Sequence, residues 1–92
     1  MLESKIEKYL VDECKKRNWM CEKFTSPSGR SKPDRMITLQ GKIVFVETKA
    51  TGKKPTLGQL FDHERRREYG IEVYVIDSKE GVDDLLSNLA KE

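Results

Sequence analysis

In "SKPDRMITLQGKIVFVETKA", residues 31 to 50, an aspartate follows a proline at position 34, and after twelve intervening residues Glu47 and Lys49 close an apolar run. Side chains two apart on a strand project to the same face, so Glu47 and Lys49 emerge together while Val46 and Thr48 face the other way. With a turn at Gln40 and Gly41, antiparallel pairing brings position 34 close to position 47. Two carboxylates and an ammonium then converge at one sheet edge. Hard oxygen ligands suit Mg²⁺, which keeps some of its waters and takes a phosphate oxygen. The ion acidifies an attacking water, and a lysine orients that water or offsets charge in the transition state. Such a trio is equipped for phosphodiester hydrolysis. A lone E-x-K is more often a solvated strand pair, but Pro33-Asp34 upstream and the apolar "IVFV" before Glu47 shift the balance.

The elements that must position the trio are visible in the periodicity. From Leu2 to about Arg17, apolar residues at Leu2, Ile6, Tyr9, Leu10 and Cys14 predict an amphipathic helix, with Asn18 as its C-terminal break. "WMCEKFTS" alternates as a strand, and "SPSGRSKP" is turn chemistry. Arg35 to Leu39 and Lys42 to Lys49 flank "QG" and predict a hairpin whose second strand, apolar on both faces, is central in its sheet. Thr56 and Gln59 stand in capping-box positions before the helix "LGQLFDHERRREYG", which Gly70 closes. "IEVYVI" is a short apolar strand, and Ser78 opens a last helix with Val82, Leu85, Leu86 and Leu89 as its buried stripe. The order is α-β-β-β-α-β-α. This is an α/β chain with a mixed sheet of about four strands, the last two parallel neighbours, and helices against its faces.

With 92 residues, one domain spanning 1–92 is expected. A chain of this size buries only about 60 to 65% of its unfolded surface. The net charge of +2 does not by itself announce a polyanion partner. Basic residues nevertheless cluster in the middle of the chain, in Arg30 to Arg35, Lys49 to Lys54 and Arg65 to Arg67. Cys14 and Cys21 have no zinc-type spacing and read as free thiols in a reducing compartment. No leader or membrane span is evident, so a cytoplasmic location in a bacterial or phage-infected cell is expected.

Pro-Asp, a dozen residues and then Glu-x-Lys resembles the PD-(D/E)XK nuclease superfamily. The stretch "GRSKPDRMITLQGKIVFVETKATGKKPTLGQLFDHERRREYGIEVYVIDS" is similar to its VRR-NUC branch, in the Gly-bearing approach to Pro-Asp, the helix Gln and the closing V-x-V. The resemblance implies a restriction-endonuclease-like core, with Mg²⁺ or Mn²⁺ held by Asp34, Glu47 and the backbone carbonyl of Thr48, a catalytic Lys49, and a supporting Gln59. It further implies a first-helix Glu that reaches the metal through water. Glu7 is the preferred match and Glu3 the substitute, both lying inside the apolar arc of the helical wheel. "ATGKKP" after Glu-x-Lys is more basic than in many relatives, which fits phosphate contact.

Arg30, Lys32, Arg35, Lys53 and Lys54 are the DNA-binding candidates. Arg65, Arg66 and Arg67 serve a DNA face or a salt-bridged helix surface equally well. His63 reads as a solvated residue without a role, and Trp19, Phe24, Phe61, Tyr69, Tyr74 and Cys14 as packing residues. The resemblance to stand-alone minimal phage-type members implies a metal-dependent Holliday junction resolvase. A chain this small would grip a four-way junction as a two-fold homodimer. The alternatives are a flap- or single-strand-preferring nuclease and a non-catalytic nucleic-acid-binding module of the same fold.

Overall fold

The first periodic stretch forms α1 (Glu3–Lys16), in which Ile6, Leu10 and Cys14 are fully buried on one stripe. The computed structural model describes residues 1–25 and 33–91. Asn18 ends the helix in the left-handed conformation (φ 60), which Asn adopts more readily than most side chains. The Asn18 and Trp19 amides, each at 3.0 Å, satisfy the Lys15 and Cys14 carbonyls there.

β1 (Met20–Lys23), β2 (Arg35–Leu39) and β3 (Lys42–Thr48) form an antiparallel meander, and β4 (Glu72–Ile76) adds parallel to β3, giving the order β1-β2-β3-β4. β3 is thus an interior strand, as its two-sided apolar character predicts. The hairpin turn falls at Gln40 and Gly41, where Gly41 takes φ +70 between the paired Leu39 and Lys42. A β-carbon there would be strained. α2 (Leu57–Glu68) separates β3 from β4 and begins in a complete capping box between Thr56 and Gln59. α3 (Lys79–Ala90) is capped by the Ser78 hydroxyl, which accepts from the Gly81 amide at 2.9 Å.

The two sheet faces differ in kind. One carries the aliphatic core, in which Ile37, Val44, Val46 and Ile76 meet Ile6 and Leu10 of α1 and Val82, Leu85, Leu86 and Leu89 of α3. Each such side chain contributes roughly 1.5–3 kcal/mol by leaving water. α2 covers the other face, and the one buried residue among its described side chains is a histidine, His63. The helix is also held by Arg66, whose guanidinium stacks 5.1 and 5.0 Å from the Phe24 and Phe45 rings and pairs with Asp62 at 2.8 Å. Both cysteines are free. Among the described residues no helix is long and apolar enough to cross a membrane.

Two packing expectations are corrected. Phe61 is 75% exposed and Tyr69 78%, because α2 docks through the His63 and Arg66 side and turns these aromatics outward. Trp19 and Tyr74 do pack against the core. Of the three consecutive arginines, Arg66 and Arg67 are salt-bridged, the latter to Glu64 at 2.8 Å.

Candidate active site

The site is assembled by register. Arg35 pairs with Val46 across β2 and β3, so one step further Asp34 stands opposite Glu47, as the hairpin arithmetic requires. Asp34 is held through Oδ2, which accepts from the Thr48 amide at 2.8 Å and the Thr48 hydroxyl at 3.0 Å. Sequence reasoning assigned Thr48 only a backbone carbonyl; its amide and hydroxyl prove to be what orients the aspartate. One further step along the register sets Pro33 opposite Thr48, and proline has no N–H to offer that carbonyl.

Glu47 is fully buried. Its Oε1 lies 2.9 Å from His63 Nε2. Its Oε2 lies 3.1 Å from the Lys49 ammonium, but without the alignment of a hydrogen bond, so this atom is buried with no hydrogen-bond partner. Charges removed from water are costly unless paired and hydrogen-bonded. Lys49 itself is largely buried, its amide fixed on the Ile76 carbonyl at 2.9 Å.

His63 corrects the expectation of a solvated residue. Its side chain is buried against Glu47, and its Nδ1 also has no hydrogen-bond partner. A signal for it existed: His63 follows Gln59 by four residues, which places both on one helical face. Gln59 uses its side-chain oxygen on the Thr56 amide at 2.9 Å, so it holds the start of α2 in place.

The first helix supplies two glutamates to two different neighbours. Glu7 Oε2 is bound to Arg35 Nε at 2.8 Å, on the sheet face that carries the aliphatic core. Glu3 stands near the trio instead. Burial raises its pKa, the negative charge of Asp34 raises it further, and Lys49 acts in the opposite sense. The Met1 carbonyl accepts from the Thr51 amide at 3.1 Å, which ties the start of α1 to the loop after Lys49. Glu3, the substitute candidate, thus lies in the field of Asp34, Lys49, Glu7 and Glu47, while Glu7 is salt-bridged to Arg35, the neighbour of Asp34.

Of the DNA-binding candidates, Arg30 and Lys32 lie outside the described residues. Arg35 points toward Glu7 and the Cys21 carbonyl. Lys53 and Lys54 are exposed on a loop that Asp77 anchors, its carbonyl accepting from the Thr51 hydroxyl and its carboxylate from the Gly52 amide.

Glu3, Asp34 and Glu47 together set three carboxylates against the one ammonium of Lys49. Their donors are hard oxygens, and the buried Glu47 Oε2 lacks a hydrogen bond. Asp34, Glu47 and the Thr48 carbonyl are a donor set that fits a small divalent cation, which would complete Oε2 and offset the excess negative charge. Among the described residues no group of three or more His, Cys, Asp or Glu side chains is arranged as a ready metal cluster. The implied ligand set is consistent with that, since it has two carboxylates and a backbone carbonyl.

No family model matches the chain. A solved structure described as a VRR_NUC domain superimposes with a TM-score of 0.86 at 32% identity, covering 92% of this chain and 94% of its own. The chain belongs to the VRR-NUC family. The restriction-endonuclease-like core and the α-β-β-β-α-β-α order agree with that fold. A second relative, "Putative nuclease p44" of Acyrthosiphon pisum secondary endosymbiont phage 1, is 48% identical over 79 residues, 85% of each chain.

Proposed function

We propose that this chain is a divalent-metal-dependent DNA endonuclease. The observation that carries the reading is the buried, hydrogen-bond-free Glu47 Oε2, with Lys49 beside it and Asp34 held across the hairpin by Thr48. The nuclease designation of the phage relative supports it.

Asp34, Glu47 Oε2 and the Thr48 carbonyl would hold a Mg²⁺ or Mn²⁺ ion, with Glu3 reaching it through water. Bound there, the ion supplies a Lewis acid for a phosphate oxygen and lowers the pKa of a bound water. Lys49 orients the attacking water and shares the charge that builds on the phosphate oxygens. The water oxygen forms the new bond to phosphorus as the bond to the 3′ oxygen breaks; the water's proton passes to solvent and the departing 3′ oxygen takes one from solvent, leaving a 5′-phosphate and a 3′-hydroxyl. Lys53 and Lys54, exposed on the anchored loop next in sequence to Lys49, would contact phosphates without reading bases.

The substrate we favour is a four-way junction, cut by a two-fold homodimer with one site per strand pair. The first and last helices both donate their apolar stripes to the core. α2 is different, with Leu57 and Phe61 each 75% exposed and Tyr69 78%. These residues and Arg65 follow one another at four-residue spacing, so they form a single stripe. The stripe is close to self-complementary: an antiparallel second copy would set Leu57 against a tyrosine and Phe61 against an arginine.

Cleavage of labelled four-way junction, flap and linear duplex, with Mg²⁺, Mn²⁺ or chelator, tests the reading. Paired metal-dependent nicks on the junction, absent with Lys49→Ala, are expected. Preference for the flap would move the substrate to branched single-strand ends. Binding without cleavage of any substrate would leave a nucleic-acid-binding module.

A further inference from the structure

α2 needs an apolar anchor to dock on the sheet at low cost, yet the one buried residue among its described side chains is His63, facing the buried Glu47. A leucine would fill such a position without burying polar atoms. The pair is therefore not explained by packing.

The hydrogen bonding defines the histidine. Its Nε2 lies 2.9 Å from Glu47 Oε1, and its buried Nδ1 faces no acceptor. The assignment that fits is a proton on Nε2, donated to the carboxylate, with a bare lone pair on Nδ1. A proton on Nδ1 would be buried with nothing to receive it. This bond fixes Oε1 and stops rotation of the carboxylate about its terminal bond. The other oxygen, Oε2, is then presented toward Lys49 with no hydrogen bond of its own.

We propose that His63 is a positioning residue that locks Glu47 as a one-oxygen ligand, so that Oε2 alone is offered to the divalent cation beside Lys49. This rests on the metal-dependent reading above. Imidazoles and carboxylates that orient metal ligands typically change metal affinity by about 10- to 100-fold when removed. A role confined to docking α2 would change stability and leave metal affinity alone.

The test is Mn²⁺ titration by calorimetry of the full chain, with His63→Leu, His63→Gln and His63→Asn, beside Asp34→Asn as a control. Thermal midpoints without metal are measured in parallel. Glutamine reaches about as far as Nε2 and keeps the donor, whereas asparagine keeps the amide but falls short. The expected result is Mn²⁺ affinity lowered roughly 10- to 100-fold in the Leu and Asn variants and largely restored in Gln. Cleavage by the Asn variant should recover as Mn²⁺ is raised. Wild-type affinity in the Leu or Asn variant would overturn the proposal while leaving the metal reading intact, as would equal losses in Gln and Asn. Should the Leu variant fail to fold, the Gln and Asn pair still decides. No Mn²⁺ binding by the wild type would overturn both.

Discussion

At Glu47 the chain buries a carboxylate beside an ammonium and an imidazole, and charges taken out of water in this way are costly to stability unless fully paired and hydrogen-bonded. Lys49→Ala should lower cleavage on the order of 10²- to 10³-fold, the range for loss of one charge-stabilising group. Mn²⁺ titration should still show binding. The two first-helix glutamates separate by experiment. Glu7→Gln takes the charge from the partner of the half-buried Arg35 and should destabilise the fold by roughly 1–3 kcal/mol, read from denaturant unfolding. Glu3→Gln should act on the site, weakening metal-dependent cleavage about 10- to 100-fold. It should also stabilise the metal-free protein. The folded-state pKa of Glu3 lies above its unfolded value, so its stability contribution is complete below the unfolded pKa and lost as pH rises through the folded one. At neutral pH the ionised carboxylate is therefore a burden that glutamine removes, by less than about 1 kcal/mol after solvent screening. The gain should vanish in acid; an unchanged gain at low pH would refute the assignment.

At the scale of elements, the six terminal signals that mattered were local and were legible: Asn18, Gly41, Thr56 with Gln59, Gly70 and Ser78 all sit where the chain turns. Thr56→Ala should cost about 1 kcal/mol through the lost cap, seen as a lower thermal midpoint. Because α2 also carries His63, fraying of its first turn should lower cleavage further than the stability loss alone predicts. α2 is the element whose docking face was misread. Its inner side is His63 and Arg66 and its outer side holds Leu57 and Phe61, so hydrophobicity pointed to the wrong face. Where a helix binds a sheet through a buried polar pair and a stacked guanidinium, apolar periodicity carries no signal.

For the whole molecule, the exposed α2 stripe is the surface on which the homodimer reading stands. Phe61→Asp should convert a two-chain mass to a one-chain mass in sedimentation at micromolar concentration, with the thermal midpoint little changed because the side chain lies outside the core. Junction nicking should then lose its pairing. A one-chain mass for the wild type, with and without junction DNA, would remove the dimer from the account.

The order of elements, the interior position of β3, the antiparallel hairpin and the convergence of Asp34, Glu47 and Lys49 were determined by the sequence itself. Strand period, turn residues and register arithmetic are local properties, and they place these three side chains before any helix is docked. Only the tertiary structure decided that Glu7 pairs with Arg35 while Glu3 lies in the field of Asp34, Lys49 and Glu47, since both lie on one arc of α1 and the helical pattern does not separate them. It likewise decided that His63 is buried on Glu47 while Phe61 faces out. Those outcomes follow from which face of α2 meets the sheet, and that is set by partners distant in sequence.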